Sequence, residues 1–301
     1  MKNIGNYIIN ILLIFAIAFF SVANIGSPKT NKGVRWMSAL EDDRAINELS
    51  IPGTHDSGAT HSISDVAGKC QSMSIEDQLY IGVRFFDIRL QLVGDDFNIV
   101  HSFVDQGLNF DTALSAMVDF VTENPSEFLI VSLKKDADSK NPKGDFAAIL
   151  EDALREYSEI STSTTLPKTV GEARGKIYII SRYDGSTMGI PAYHGWEDST
   201  SFTLGELYVQ DNYKVTSAEE KIADIEATMA IADTCQNGLV LNFTSCYLTS
   251  GFPPTYAATP AKAINPWLLE RLNLEARPQG VLVCDFMTSD LVKAIWEVNF
   301  R

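Results

Sequence analysis

The sequence predicts an α/β protein built as one barrel, and three observations predict it. From Glu48 onward short β-rich runs alternate with helical stretches, the β-rich runs number eight, and no low-complexity linker or internal repeat interrupts them. The expected strands are Glu48–Ile51, Val83–Leu90, Phe97–His101, Phe128–Leu133, Ile177–Ser181, Leu207–Val209, Leu239–Phe243 and Val281–Phe286. Each is a short apolar or β-branched stretch bounded by turn-forming or charged residues. Helices are expected between them. Ser74 can cap Ile75–Tyr80, Asp111 opens Thr112–Thr122, Gly144–Tyr157 carries apolar residues at helical spacing, and Ser217 precedes Ala218–Ala232. Two more helices are expected near Pro266–Leu272 and Ser289–Val298, and Tyr183 to Leu204 reads as a long loop over one face.

The N-terminus is expected to lie outside this fold. Lys2 precedes an apolar run, Ile11 to Phe20, that ends at Ser21-Val22-Ala23. A basic residue, a short apolar core and small residues at its end make a secretory signal peptide, here residues 1–23, leaving 24–301 as the catalytic barrel and a secreted, extracellular product. The run is shorter than the roughly 20 residues that span a bilayer. The net charge of −15, one more negative without Lys2, opposes binding to nucleic acid or to a strongly anionic surface. Attraction to a membrane should therefore be apolar and local. Cys70, Cys235, Cys246 and Cys284 all follow the leader, and export would permit disulfides, Cys235 with Cys246 being the favoured pair. No paired Cys/His spacing suggests zinc.

In such barrels chemistry sits where strands end at their C-terminal face, so polar residues just after apolar runs are the candidates. They are His55 and Asp56, Asp87 and Arg89, His101, Lys134, Arg182, Asp211 and Tyr213, and Asp285. A phosphodiester cleaved by its own neighbouring hydroxyl needs a base, an acid for the leaving oxygen and a cation on the nonbridging oxygens. His55, His101 and Arg89 fit these three tasks. Adjacent residues of an extended chain point to opposite sides, so Asp56 should serve His101, and Asp285 should serve His55 from a strand lying beside the first. In Arg84-Phe85-Phe86-Asp87-Ile88-Arg89 the period of two puts Phe85, Asp87 and Arg89 on one face, where Asp87 can hold Arg89.

These residues also carry a resemblance. Ser50-Ile51-Pro52-Gly53-Thr54-His55-Asp56-Ser57 with Gly82-Val83-Arg84-Phe85-Phe86-Asp87-Ile88-Arg89 resembles the X-domain signature of phosphatidylinositol-specific phospholipases C. Similarity to the secreted bacterial enzymes continues through Gly175-Lys176-Ile177, Ser181-Arg182-Tyr183, Val209 to Val215 and Leu241 to Ser245. The resemblance implies a distorted (β/α)8 TIM-type barrel that cleaves phosphatidylinositol to diacylglycerol and inositol 1,2-cyclic phosphate, with glycosylphosphatidylinositol anchors as a second substrate class. It implies His55 as base, His101 as acid, Asp285 and Asp56 behind them, Arg89 on the phosphate, and Lys134, Arg182, Asp211 and Tyr213 around the inositol. Calcium-dependent relatives use a cluster of carboxylates and amides where a guanidinium stands here, so no metal and no cofactor is expected.

Blander readings compete at each position. Alone, His55-Asp56 would be a capping pair in a turn, Arg89 with Asp87 a structural ion pair, and the consecutive Lys134 and Lys135 a solvated pair. His61 and His194 have no motif role, and the sequon Asn242-Phe243-Thr244 lies in an expected strand, where a structural amide fits better. The functional rivals are a metal-dependent glycerophosphodiester phosphodiesterase, which would need carboxylate ligands, and a secreted lipid-binding barrel without catalysis. The partner expected is a phosphatidylinositol-containing membrane surface, engaged peripherally by a monomer. Tyr247, Leu248, Phe252 and Tyr256, in a Gly/Pro-rich loop, are the candidates for the membrane-facing rim.

Overall fold

The structure, a computed structural model, describes residues 34–61, 68–102, 104–251 and 255–301. The leader assigned to 1–23 and the rim residue Phe252 lie outside these. The strands are β1 (Ser50–Thr54), β2 (Phe85–Val93), β3 (Asp96–His101), β4 (Val104–Asn109), β5 (Leu129–Lys135), β6 (Ile160–Ser161), β7 (Ile177–Arg182), β8 (Ile190–Pro191), β9 (Ser201–Leu204), β10 (Leu207–Gln210), β11 (Lys214–Val215), β12 (Leu239–Phe243), β13 (Tyr247–Leu248) and β14 (Gly280–Cys284). The main sheet runs β6-β7-β5-β2-β1-β14-β12-β10-β9. All its neighbours pair in parallel except the terminal pair β9 and β10. The result is a curled, distorted barrel that hydrogen bonds do not close among the described residues.

Two differences from expectation have physical causes. Phe97–His101 is not a barrel strand: β3 pairs antiparallel with β2, Val93 facing Asp96, and continues into the antiparallel β4. Only Gly94 and Asp95 separate β2 from β3, with Gly94 at φ +69, and so tight a turn can produce only an antiparallel hairpin. The Tyr183–Leu204 stretch, expected as loop, contains the short strands β8 and β9. Five helices stand close to their expected places, at Ile75–Ile81, Phe110–Glu123, Phe146–Arg155, Ala218–Thr234 and Ser289–Glu297, whereas the one expected near Pro266–Leu272 runs Ala258–Asn273 with Pro266 in its interior, and a short turn of helix lies at Val170–Ala173. Ser74 and Ser217 do cap, accepting from the Asp77 and Glu220 backbone N–H groups. Asp111 does not cap its helix, which starts a residue earlier and uses Asn109. None of the described helices is long and apolar enough to cross a membrane.

The core has two compartments, split by strand parity. Ile51, Phe85, Ile130, Ile180, Val209, Leu241, Val281 and Val283 pack inside the barrel, while Phe86, Ile88, Val131, Leu133, Ile179 and Leu282 pack outward under the helices. Gly53 has no room for a side chain, since a Cβ there would sit 3.1 Å from Phe85 Cβ and 3.2 Å from Val281 Cγ1. Arg84, with the outward parity, is wholly buried in an ion pair with Glu127 at 2.8 Å, and its guanidinium lies over the Phe120 ring. Within the family-like motif it is therefore structural. Asn242 is a buried structural amide, donating to the Ile225 carbonyl and accepting from Gln210.

All four cysteines are free thiols, which corrects the pairing of Cys235 with Cys246. Cys235 ends the helix before β12 and Cys246 follows β12, so a five-residue strand rising about 3.3 Å per residue runs between them. A disulfide needs Cα atoms within about 7 Å.

Candidate active site

The parity that fills the barrel also builds its mouth. Continuing the inward positions past the apolar layer gives Asp87 and Arg89 on β2, Lys134 at the end of β5, Arg182 at the end of β7, Asp211 after β10 and Asp285 after β14. His55 follows β1 in the same parity as Ile51 and Gly53. His101 arrives differently, because the hairpin of β2 and β3 folds its last residue back over the mouth. These residues, Asp87 apart, line one cavity of about 630 Å³, and Tyr213, Tyr247 and Tyr256 border it.

β1 and β14 are neighbours, with Thr54 opposite Cys284, and this register sets His55 against Asp285. His55 Nδ1 lies 2.7 Å from Asp285 Oδ1 and its Nε2 is 2.6 Å from Arg89 Nη2. The guanidinium can only donate, so Nε2 is the acceptor and Nδ1 carries the proton toward Asp285. Burial alone would lower the His55 pKa, and Arg89 adds to that, yet the Asp285 and Asp87 carboxylates carry it above the ordinary value.

Arg89 is the hub. Its Nε and Nη2 each lie 3.2 Å from Asp87 Oδ2, Nε is 3.5 Å from Asp56 Oδ2, and Nη1 is 3.9 Å from Asp136 Oδ2. Asp87 is fully buried, and Arg89 and Arg182 together hold its carboxyl well below the usual range against the cost of burial. Asp56 stands at φ +42, a left-handed conformation that aspartate tolerates, just past the end of β1. Its Oδ2 is 3.6 Å from His101 Nε2, and among the described residues neither Asp56 oxygen has a hydrogen-bond partner. Burial pushes the Asp56 carboxyl up to about 7, whereas burial, Arg89 and His55 pull His101 down to about 4.

On the opposite wall Lys134 Nζ meets Asp136 Oδ1 at 2.5 Å, while Lys135 turns onto the Phe146 ring. Lys134 is the inward member of the pair. The Arg182 guanidinium carbon lies over Trp196, 3.6 Å from the ring centroid, and Arg182 reaches Asp87 Oδ1 at 3.3 Å. Trp196 Nε1 donates to Asp211 Oδ2 at 3.0 Å, and Tyr213 donates to Asp198. Tyr213, Tyr247 and Tyr256 follow one another at centroid separations of 5.9 and 6.4 Å. Tyr247 and Leu248 are half-buried, and Tyr256 is exposed. His61 and His194 are exposed side chains away from the Arg89 hub.

Sequence reasoning missed Asp136, Trp196 and Asp198. Asp136 had a signal, since it repeats the inward parity of Lys134 two residues on. Trp196 and Asp198 had none, because the stretch between Ala192 and Ser201 has no periodicity. It also missed Cys70, whose backbone pairs with Ala59 and Phe286 and whose Sγ has the ligand atoms of both His/Asp pairs around it.

A distorted α/β barrel that gathers two histidine/carboxylate pairs around one arginine is equipped for acid/base work on an anionic ester. Residues 49–183 match the family described as phosphatidylinositol-specific phospholipase C, X domain. A 1-phosphatidylinositol phosphodiesterase of Listeria monocytogenes is 28% identical over 321 residues, covering 99% of this chain and 98% of its own. One from Staphylococcus aureus is 28% identical over 316 residues, covering 95% and 93%. A solved Staphylococcus aureus phosphatidylinositol-specific phospholipase C, from work on its membrane binding, superposes with a TM-score of 0.79 at 27% identity, over 89% of this chain and 98% of that one. The Listeria monocytogenes enzyme superposes at 0.72 and 26%, over 89% and 98%. Over nearly its whole length the chain is thus similar to bacterial phosphatidylinositol-specific phospholipases C, and its residues 49–183 match the X-domain family model.

Proposed function

We propose that the protein cleaves phosphatidylinositol by attack of the inositol 2-hydroxyl on phosphorus, giving diacylglycerol and inositol 1,2-cyclic phosphate. The observation that carries this is the convergence of His55, held by Asp285, and His101, beside Asp56, on the two sides of Arg89. His55 Nε2 is the acceptor for the hydroxyl proton, and Asp285 stabilises the imidazolium that forms. Arg89 supplies positive charge for the nonbridging oxygens, Asp87 fixing it in place. The phosphodiester brings the negative charge that raises His101 from its low value, so the proton held by Asp56 can pass to His101 and on to the departing diacylglycerol oxygen. One O–P bond forms and one breaks; when the cyclic ester departs, His55 gives its proton to solvent and Asp56 takes one up, whereas in the slower hydrolysis of the cyclic ester His55 returns its proton to the inositol 2-oxygen.

The positive charge at phosphorus comes from Arg89, so turnover is proposed to need no metal. The inositol ring is proposed to sit between Arg182 and Tyr213, with its hydroxyls facing Lys134, Arg182 and Asp211. Tyr247, Leu248 and Tyr256, with Phe252, are proposed to seat the mouth on the lipid surface, since aromatic side chains partition into the interface without the long-range attraction that a net charge of −15 denies. Glycosylphosphatidylinositol anchors share the reacting phosphodiester and are proposed as a second substrate class. The apolar run Ile11 to Phe20 supports export. The test is incubation with phosphatidylinositol vesicles in chelator, followed by phosphorus NMR. A cyclic inositol phosphate signal is expected; its absence, with calcium restoring turnover, would overturn the metal-free mechanism.

A further inference from the structure

Cys70 occupies a position that the mechanism does not use. It is 2% exposed, yet it lines the cavity at the mouth, and its sulfur sits within 4.8 Å of ligand atoms of Asp56 and His101 and, on the other side, of His55 and Asp285. The two sides differ. His55 and Asp285 are closed by a 2.7 Å hydrogen bond, which leaves no space between their ligand atoms. Asp56 Oδ2 and His101 Nε2 stand 3.6 Å apart without hydrogen-bonding, and Asp56, wholly buried, has no hydrogen-bond partner for either oxygen among the described residues. Ligand atoms on a tetrahedral zinc ion, with bonds of about 2.0–2.3 Å, lie about 3.3–3.8 Å from each other. On the open side the oxygen and nitrogen have that spacing and the sulfur lies within 4.8 Å of both, giving one sulfur, one nitrogen and one oxygen donor, a set that suits zinc and disfavours magnesium or calcium.

We propose that Cys70, Asp56 and His101 form a binding site for a soft divalent cation of the zinc class, and that its occupancy inhibits the enzyme by taking His101 out of acid catalysis. The Cys70 thiol and the Asp56 carboxyl each give up a proton to solvent on binding, so the thiolate and the carboxylate together neutralise the dication. Arg89 gives up its 3.5 Å contact with Asp56 but keeps Asp87 and Asp136 as counterions. The fourth coordination position faces the cavity and takes a water or a substrate oxygen. Inhibition rests on the proposed phospholipase activity, whereas metal binding does not.

The experiment therefore reads both. In a Cys235→Ser background, which removes the half-exposed thiol, cadmium is titrated into the metal-free protein while the ultraviolet thiolate-to-cadmium charge-transfer band is recorded. Zinc inhibition of phosphatidylinositol cleavage is measured in parallel, with calcium as the control cation. One equivalent of band is expected, lost in Cys70→Ser and in Cys70→Ala. Loss of even an outer partner costs a metal site about 10- to 100-fold, so the half-inhibiting zinc concentration should rise at least ~10-fold in both variants. Two cysteine replacements of different size separate loss of the ligand from misfolding, which a matched melting curve checks. No band in the protein carrying Cys70, or a band that survives both replacements, would overturn the site whether or not the lipid is cleaved. A Cys70-dependent band with equal zinc inhibition of all forms would overturn the inhibitory role alone.

Discussion

Replacing Asp285 by Asn tests the acid/base assignment most sharply, because the two side chains have the same shape and opposite consequences for His55. The 2.7 Å contact between His55 Nδ1 and Asp285 Oδ1 corresponds to a gross Coulomb attraction of about 6 kcal/mol at an effective dielectric of about 20. Net of desolvation, a hydrogen bond to a charged group is worth about 1.5–3 kcal/mol. Removing the Asp285 charge should therefore lower the His55 pKa. Burial and Arg89, both of which lower it, are then opposed by Asp87 without Asp285. An asparagine amide facing Nδ1 also favours the other tautomer, with the proton on Nε2 where the base must accept. The comparable change in a serine protease triad costs about 10⁴ in kcat. A loss of about 10²–10⁴ in kcat/KM is expected, with the acidic limb of the pH profile moved to lower pH, measured on soluble cyclic inositol phosphate so that membrane binding plays no part. A folded Asp285→Asn protein within threefold of wild type, with its acidic limb unmoved, would refute the pairing of His55 with Asp285.

His55→Ala and His101→Ala should each lose about 10²–10⁴ in turnover, and the double variant little more than either alone, because the two act on one transition state; additive losses in phosphatidylinositol assays would speak against a coupled pair. Arg89→Lys should lower the rate strongly, since an ammonium cannot reproduce the forked contacts to Asp87 and phosphate, and retention of more than half the activity would count against Arg89 as the phosphate ligand. The Asp56 carboxyl, raised from 3.8 to about 7 by burial, contributes stability that is present below about pH 4 and lost as pH rises through about 7. Asp56→Asn should therefore gain in melting temperature relative to wild type at pH 8 compared with pH 4, by the equivalent of about 4 kcal/mol at most, even as activity falls; an equal difference at both pH values would contradict the buried charge. Tyr256→Ala should weaken vesicle sedimentation and cleavage of long-chain lipid while leaving hydrolysis of soluble cyclic inositol phosphate within about twofold, and equal losses on both substrates would place Tyr256 in the structure of the site instead.

Much of the site was legible because strand parity is a local property. A period of two fixes that Asp87 and Arg89 share a face with Phe85, and that Asp285 shares one with Val281 and Val283, whatever the strands pack against. Short apolar runs alternating with capped helices likewise determined an α/β barrel, and the residues following those runs determined which side chains its mouth would hold. The tertiary structure decided what depends on neighbours distant in sequence. That β3 folds back as a hairpin depended on the turn at Gly94 and Asp95 competing with a crossover, and eight apolar runs could not distinguish the two. Trp196 beneath Arg182 came from a stretch with no period to read, brought there by the packing of β9 on β10. The thiols of Cys235 and Cys246 are kept apart by the length of β12, which only the fold makes into a distance. Above all, the opposite pKa shifts of Asp56 and His101 were invisible in the sequence, because a pKa is set by burial and by charges from several strands, and those meet only when the barrel has formed.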